Sequence, residues 1–108
     1  IAEKNSAITE LKNNIRRDIV AAMHDVNIAR HIFLNNAERT AYAKERLRAL
    51  KVKQKVKQAV DSDIKMARIE FRQAQVEERV AAINLMEAMT IYHLKIGKIL
   101  FNIEDYET

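Results

Sequence analysis

The side chains able to do chemistry in this sequence are three histidines and a scatter of carboxylates. His24 and His31 stand seven residues apart, on roughly one face of any helix, with Asp25 next to His24. His93 is far from both in sequence. A metal held along one helix needs ligands at i, i+3 or i+4, and helical di-iron centres use Glu-x-x-His on two helices. No Glu-x-x-His occurs, so the histidines read as solvated or seam-edge residues. Glu70, Glu77 and Glu78 could serve as acids or bases, yet nothing pairs them with a nucleophile or base in a pocket. The sequence carries no enzyme signature, and no catalytic, metal-binding or cofactor-binding residue is assigned.

A second charged feature is the comb Lys51, Lys53, Lys55 and Lys57. Such a comb suits anionic lipid or nucleic acid, but it equally suits a solvated helix end, where cations complement the negative pole. Asp61, Ser62 and Asp63 follow, residues that accept from free N–H groups at a helix start. A tight turn over residues 55–61 is therefore expected, with a new helix beginning at Asp61 or Ser62. One continuous helix through this point is the competing reading, because no glycine marks the turn.

Composition sets the elements that hold these residues. The 108 residues include no Pro, one Gly (Gly97), no Cys and no Trp, and aromatics make up 6%. Turns draw on Gly, Pro, Asn and Asp, so a chain this poor in Gly and Pro favours long helices. The fold class is all-α. Net charge is +4, with 15 acidic residues interspersed among 19 basic ones. Without basic clusters interleaved with aromatics, nucleic acid is not expected as a partner. No apolar run reaches the roughly 18 residues needed to span a bilayer as a helix. The chain begins at Ile1 rather than Met, which suggests a piece of a longer protein, with any signal peptide lost from view.

The strongest pattern is a double row repeating every seven residues. Ala67, Ala74, Ala81 and Ala88 form a small row, and Ile64, Phe71, Leu85 and Tyr92 form a large row beside it, interrupted by Glu78. In the first half Ile8, Ile15, Ala22, Ala29, Asn36, Ala43 and Leu50 alternate with Ile19, Val26, Phe33, Thr40 and Leu47. At 3.6 residues per turn each pair of rows makes a narrow seam along one helix face. The expected architecture is a long antiparallel α-helical hairpin, with helix 1 over about 4–54 and helix 2 over about 62–97. A tail would follow over 98–108, with Gly97 as the helix end or a kink and Ile99, Leu100, Phe101 and Ile103 continuing to pack. Asn36, Thr40 and Glu78 are polar interruptions of the kind that fix register. Each helix also carries a second apolar stripe: Val20, Met23, Leu34, Ala37 and Ala41 in the first, and Ile69, Val76, Val80, Ile83 and Met86 in the second. Two stripes per helix imply either neighbours on both sides, as in a helical barrel, or one wide apolar face in a three- or four-helix bundle; both expect assembly with other helices.

Several stretches resemble the TolC-like outer-membrane efflux proteins. The run from Ile15 to Arg30, followed by Asn36-Ala-Glu and by Ala43 to Leu50, is similar to their long descending helix. Asp63-Ile-Lys-Met-Ala67 resembles the Asp-Val-x-x-Ala that opens their return helix, and Ala88 to Gly97, with Tyr92 and Leu94, resembles its close. The sequence departs from the family at Lys57, where the family usually has Gly six residues before that Asp. The resemblance implies one periplasmic hairpin of a trimeric outer-membrane channel serving tripartite efflux or type I secretion. The β-strands that enter the membrane would lie in regions absent from this chain. It further implies that Lys53, Lys55, Lys57, Asp61, Ser62 and Asp63 form the entrance tip, where a periplasmic adaptor protein docks. The hairpin of such an adaptor is one alternative, and a cytoplasmic structural coiled coil is another.

Overall fold

The computed structural model describes residues 2–57 and 59–107, with side chains described over 4–57 and 59–101. Gln58, within the expected turn, and Thr108, in the expected tail, lie outside the described residues. Two helices account for the architecture: α1 (Ala2–Lys55) and α2 (Asp61–Glu107), packed against each other. No strand occurs among the described residues. The chain divides into two compact units, one of residues 30–84 and one of residues 1–29 with 85–108.

The unit of residues 30–84 contains the turn. The end of α1 tightens, with the Val56 N–H donating to the Lys53 carbonyl at 3.2 Å and the Lys57 N–H to Gln54 at 3.0 Å. Lys57 then takes a φ of 60°, the left-handed conformation in which many helices stop. The first bonds of α2 go to the Val60 carbonyl, from Asp63 N–H at 3.1 Å and Ile64 N–H at 3.4 Å. That puts Asp61 and Asp63 inside the first turn of α2, where negative charge meets the positive pole of the helix. The Gln54 side-chain amide donates to the Asp61 carboxylate and ties one helix end to the other.

Above the turn the core begins with Leu47, Ile64 and Ala67, flanked by Leu50 and Phe71. Ala74 and Ala81 are also buried, at 8% and 3% exposure, while Phe33, Ala43 and Glu78 are half-buried. In the other unit Ala22 is buried, and Ile15, Ile19, Val26, Ala29, Leu85, Ala88 and Tyr92 are half-buried. The buried residues thus all belong to the heptad rows, although Ile8 at the start of the first row is 51% exposed. Four of the six buried apolar residues are alanines (Ala22, Ala67, Ala74 and Ala81), so the core is narrow.

The C-terminal part departs from expectation. Helix 2 does not stop at residue 97 with a tail over 98–108; α2 continues through Gly97 to Glu107. Gly97 does not have a positive φ, and a Cβ there would meet nothing within 4 Å. It is an ordinary, exposed helical position, and the amides beyond it keep their helical partners. Ile99 is half-buried, whereas Leu100 and Phe101 are exposed, at 58% and 64%. The side chain of Ile103 lies outside the described residues.

Two measurements follow from this geometry. Spin labels at Tyr42→Cys and Gln73→Cys, which line one groove, are expected to lie within ~20 Å, the scale of adjacent helices plus label arms. A distance near the ~46 Å of one continuous helix over those residues would contradict the hairpin. Lys57→Gly removes a side chain from a left-handed position, and Gly97→Ala adds one to an open helical position. Each is expected to raise unfolding free energy by about 0.5–1 kcal/mol, read as a shifted denaturant midpoint at unchanged slope.

Candidate functional site

Helix periodicity gives the unit of residues 30–84 two distinct flanks. One flank carries the residues just before the large row. There Arg46 Nη1 meets Glu70 Oε2 at 2.7 Å, and Arg39 Nη1 meets Glu77 Oε2 at 3.2 Å. Both pairs are about half exposed, so each is worth roughly 0.2–1 kcal/mol and chiefly sets which residues face each other. Asn35, Tyr42 and Gln73 line the open groove around them.

Within the seam the Thr40 hydroxyl lies 2.9 Å from the Asn36 carbonyl on its own helix and 3.1 Å from the Ala74 carbonyl across the interface. Such a short side chain reaches the opposite backbone only where the helices approach closely, and alanine permits that approach. The Asn36 amide donates to the Ile32 carbonyl at 2.9 Å. Since Thr40 faces Ala74 and Arg39 faces Glu77, antiparallel register brings half-buried Glu78 level with Asn36. The three polar interruptions therefore fall in one stretch of the seam. The cross-helix ion pairs use Glu70 and Glu77, one residue outside the seam, rather than Glu78. Their partners Arg39 and Arg46 had a readable signal, a cation before Thr40 and before Leu47 in α1 matched by a carboxylate before Glu78 and before Phe71 in α2.

The opposite flank has another character. Lys44, Arg48, Lys51 and Lys55 border a groove floored by Leu47, Val52 and Phe71. At the tip Lys53, Lys55, Lys57, Asp61, Ser62 and Asp63 are all exposed, together with Val52, Val56 and Val60. The turn brings these six polar residues to one end of their unit. His24, His31 and His93 are exposed; His93 leans on Tyr92, with ring centroids 5.7 Å apart. Among the described residues no group of three or more His, Cys, Asp or Glu side chains is arranged to hold a metal. No helix there is long and apolar enough to cross a membrane.

No protein-family model, curated protein or solved structure matches the chain. The fold defines a class, a helical hairpin of coiled-coil type, and the functional reading rests on the hairpin's own surfaces.

The seam makes a steric prediction. Ala81→Leu, at a site 3% exposed, is expected to cost about 1–3 kcal/mol through overpacking. Val80→Ser, one residue away but 51% exposed, should fall within about 0.5 kcal/mol of the parent. Equal effects in chemical denaturation would mean that the alanine row does not set helix separation.

Proposed function

We propose that the chain is a periplasmic helical hairpin of a trimeric, TolC-like outer-membrane channel, a passive conduit with an adaptor-docking tip. The observation that carries this reading is the row Ile69, Val76, Val80 and Ile83. Phe71, Ala74 and Ala81 pack on the seam side of α2, which places this row on the side turned away from α1. Its members are 51–59% exposed. A row of branched apolar residues on the outer side of a helix is what a further helix would cover. The total accessible surface of 9120 Å² points the same way. A globular monomer of this mass exposes about 6,200 Å² by the usual scaling, so much apolar surface waits for neighbours. In a barrel of helices, each one is gripped on both sides.

The tip supplies secondary support. Lys57, which stands where the resembled family usually has glycine, has the left-handed backbone that glycine tolerates best. In this reading Lys53 to Asp63 meet the adaptor and form the entrance, while the seam residues hold the helices.

Ile69→Glu with Val76→Glu tests the reading in the parent protein. The double variant should leave the helicity of the 108-residue chain unchanged, yet abolish recovery of the parent from outer membranes as a trimer. Recovery of the unaltered parent from the cytosol, as part of a continuing coiled coil, would overturn the proposal in favour of a structural role.

A further inference from the structure

The two flanks of the hairpin at residues 30–84 differ in charge, and that difference points to an occupant. On the flank of Arg39 and Arg46, carboxylates of α2 stand opposite the cations. On the other flank, α1 presents Lys44, Arg48, Lys51 and Lys55, all exposed. Helix α2 follows suit. Glu70 precedes Phe71 as Arg46 precedes Leu47, and those two side chains meet. Residues that follow the small rows, such as Arg68 after Ala67 and Lys44 after Ala43, therefore share the opposite flank. Lys65, Arg72 and Arg79 stand three residues before or four after Arg68 and Gln75 and so border the same flank; they too are exposed, and between residues 65 and 79 only Gln75 on that flank is uncharged. No carboxylate occupies these positions, and among the described residues only Arg48 of this set has a carboxylate nearby, Glu45 Oε1 on its own helix at 3.7 Å.

Between the cations the groove floor is apolar, built from Leu47 and Phe71 with Val52 at its edge. Leu47 is buried and Phe71 half-buried, so the apolar strip is recessed between charged walls. A recessed strip suits a rod-like partner better than a flat lipid surface. Bases would find no exposed aromatic platform for stacking among the groove residues, which disfavours single-stranded nucleic acid. A second copy presenting this same flank would bring like charges together. We propose that this groove docks an amphipathic helix of another protein, with an apolar row seated on Leu47 and Phe71 and acidic residues on both sides. The docked helix would supply here what Glu70 and Glu77 supply on the other flank. The inference uses the charge pattern alone and stands whether or not the hairpin belongs to a channel.

The test uses the 108-residue chain and a designed helical peptide with a leucine row flanked by glutamates, labelled for fluorescence anisotropy. Binding is expected to be saturable and to weaken as salt rises from about 50 to 300 mM. It should also fall about tenfold or more in Lys44→Glu/Arg48→Glu, since each reversal replaces an attraction with a repulsion. Lys12→Glu, an exposed cation outside the groove, should leave it unchanged, and circular dichroism confirms that each variant keeps its helicity. A peptide with the same charges but serine in place of leucine should bind at least several-fold more weakly. Equal binding of the serine peptide, or tighter binding of a duplex DNA or of phosphatidylglycerol vesicles, overturns the proposal, as does equal loss in Lys12→Glu.

Discussion

The structure depends on how closely two helix backbones can approach along a row of alanines. Each alanine removes only one methyl group from water, worth about 0.8 kcal/mol at most. Its larger effect is steric. With Ala74 on the facing helix, the Thr40 hydroxyl comes within 3.1 Å of the opposite backbone carbonyl, and Leu47, Ile64 and Phe71 can close over the sides. The seam gains dispersion contacts along its length, and those contacts, not a thick core, hold the helices together.

A narrow core has a consequence for everything outside it. With four alanines among six buried apolar residues, the hairpin covers little of its own surface. Exposed rows such as Ile69, Val76 and Ile83 are what remains when an amphipathic helix has more apolar faces than its one partner can cover. The flanks divide the remaining work by charge. One is neutralised through Arg39–Glu77 and Arg46–Glu70, which reinforces register. The other is left cationic around an apolar groove. Polar insertions at Asn36, Thr40 and Glu78 interrupt the seam in one stretch, and a slipped register would take Glu78 away from the level of Asn36 and Thr40 away from the Ala74 carbonyl.

Much of this was legible in the sequence. Seven-residue rows identify the shielded positions because a helix repeats its face nearly every two turns, and small beside large residues describe a seam before any coordinates exist. The turn was legible through its flanks, the lysines ending α1 and the aspartates opening α2. Gly97 was misleading. Glycine ends a helix only where the backbone turns left-handed, and here the chain simply continues as helix to Glu107. That left-handed role falls to Lys57, a residue with no intrinsic preference for it, imposed because the chain must reverse within a few residues. The pairing of Arg39 and Arg46 with Glu77 and Glu70 was not assigned, because it depends on where the turn sets the register.

By itself, then, the sequence determined that the chain is helical, which faces are apolar, and that polar residues break the seam at three points. These follow from composition and periodicity, which are local properties of a helix. Only the tertiary structure decided which residues meet across the interface. It placed Thr40 at Ala74, neutralised one flank and left the other cationic. Those outcomes depend on the turn at Lys57 and on the backbone separation permitted by the alanine row, neither of which is a property of either helix alone.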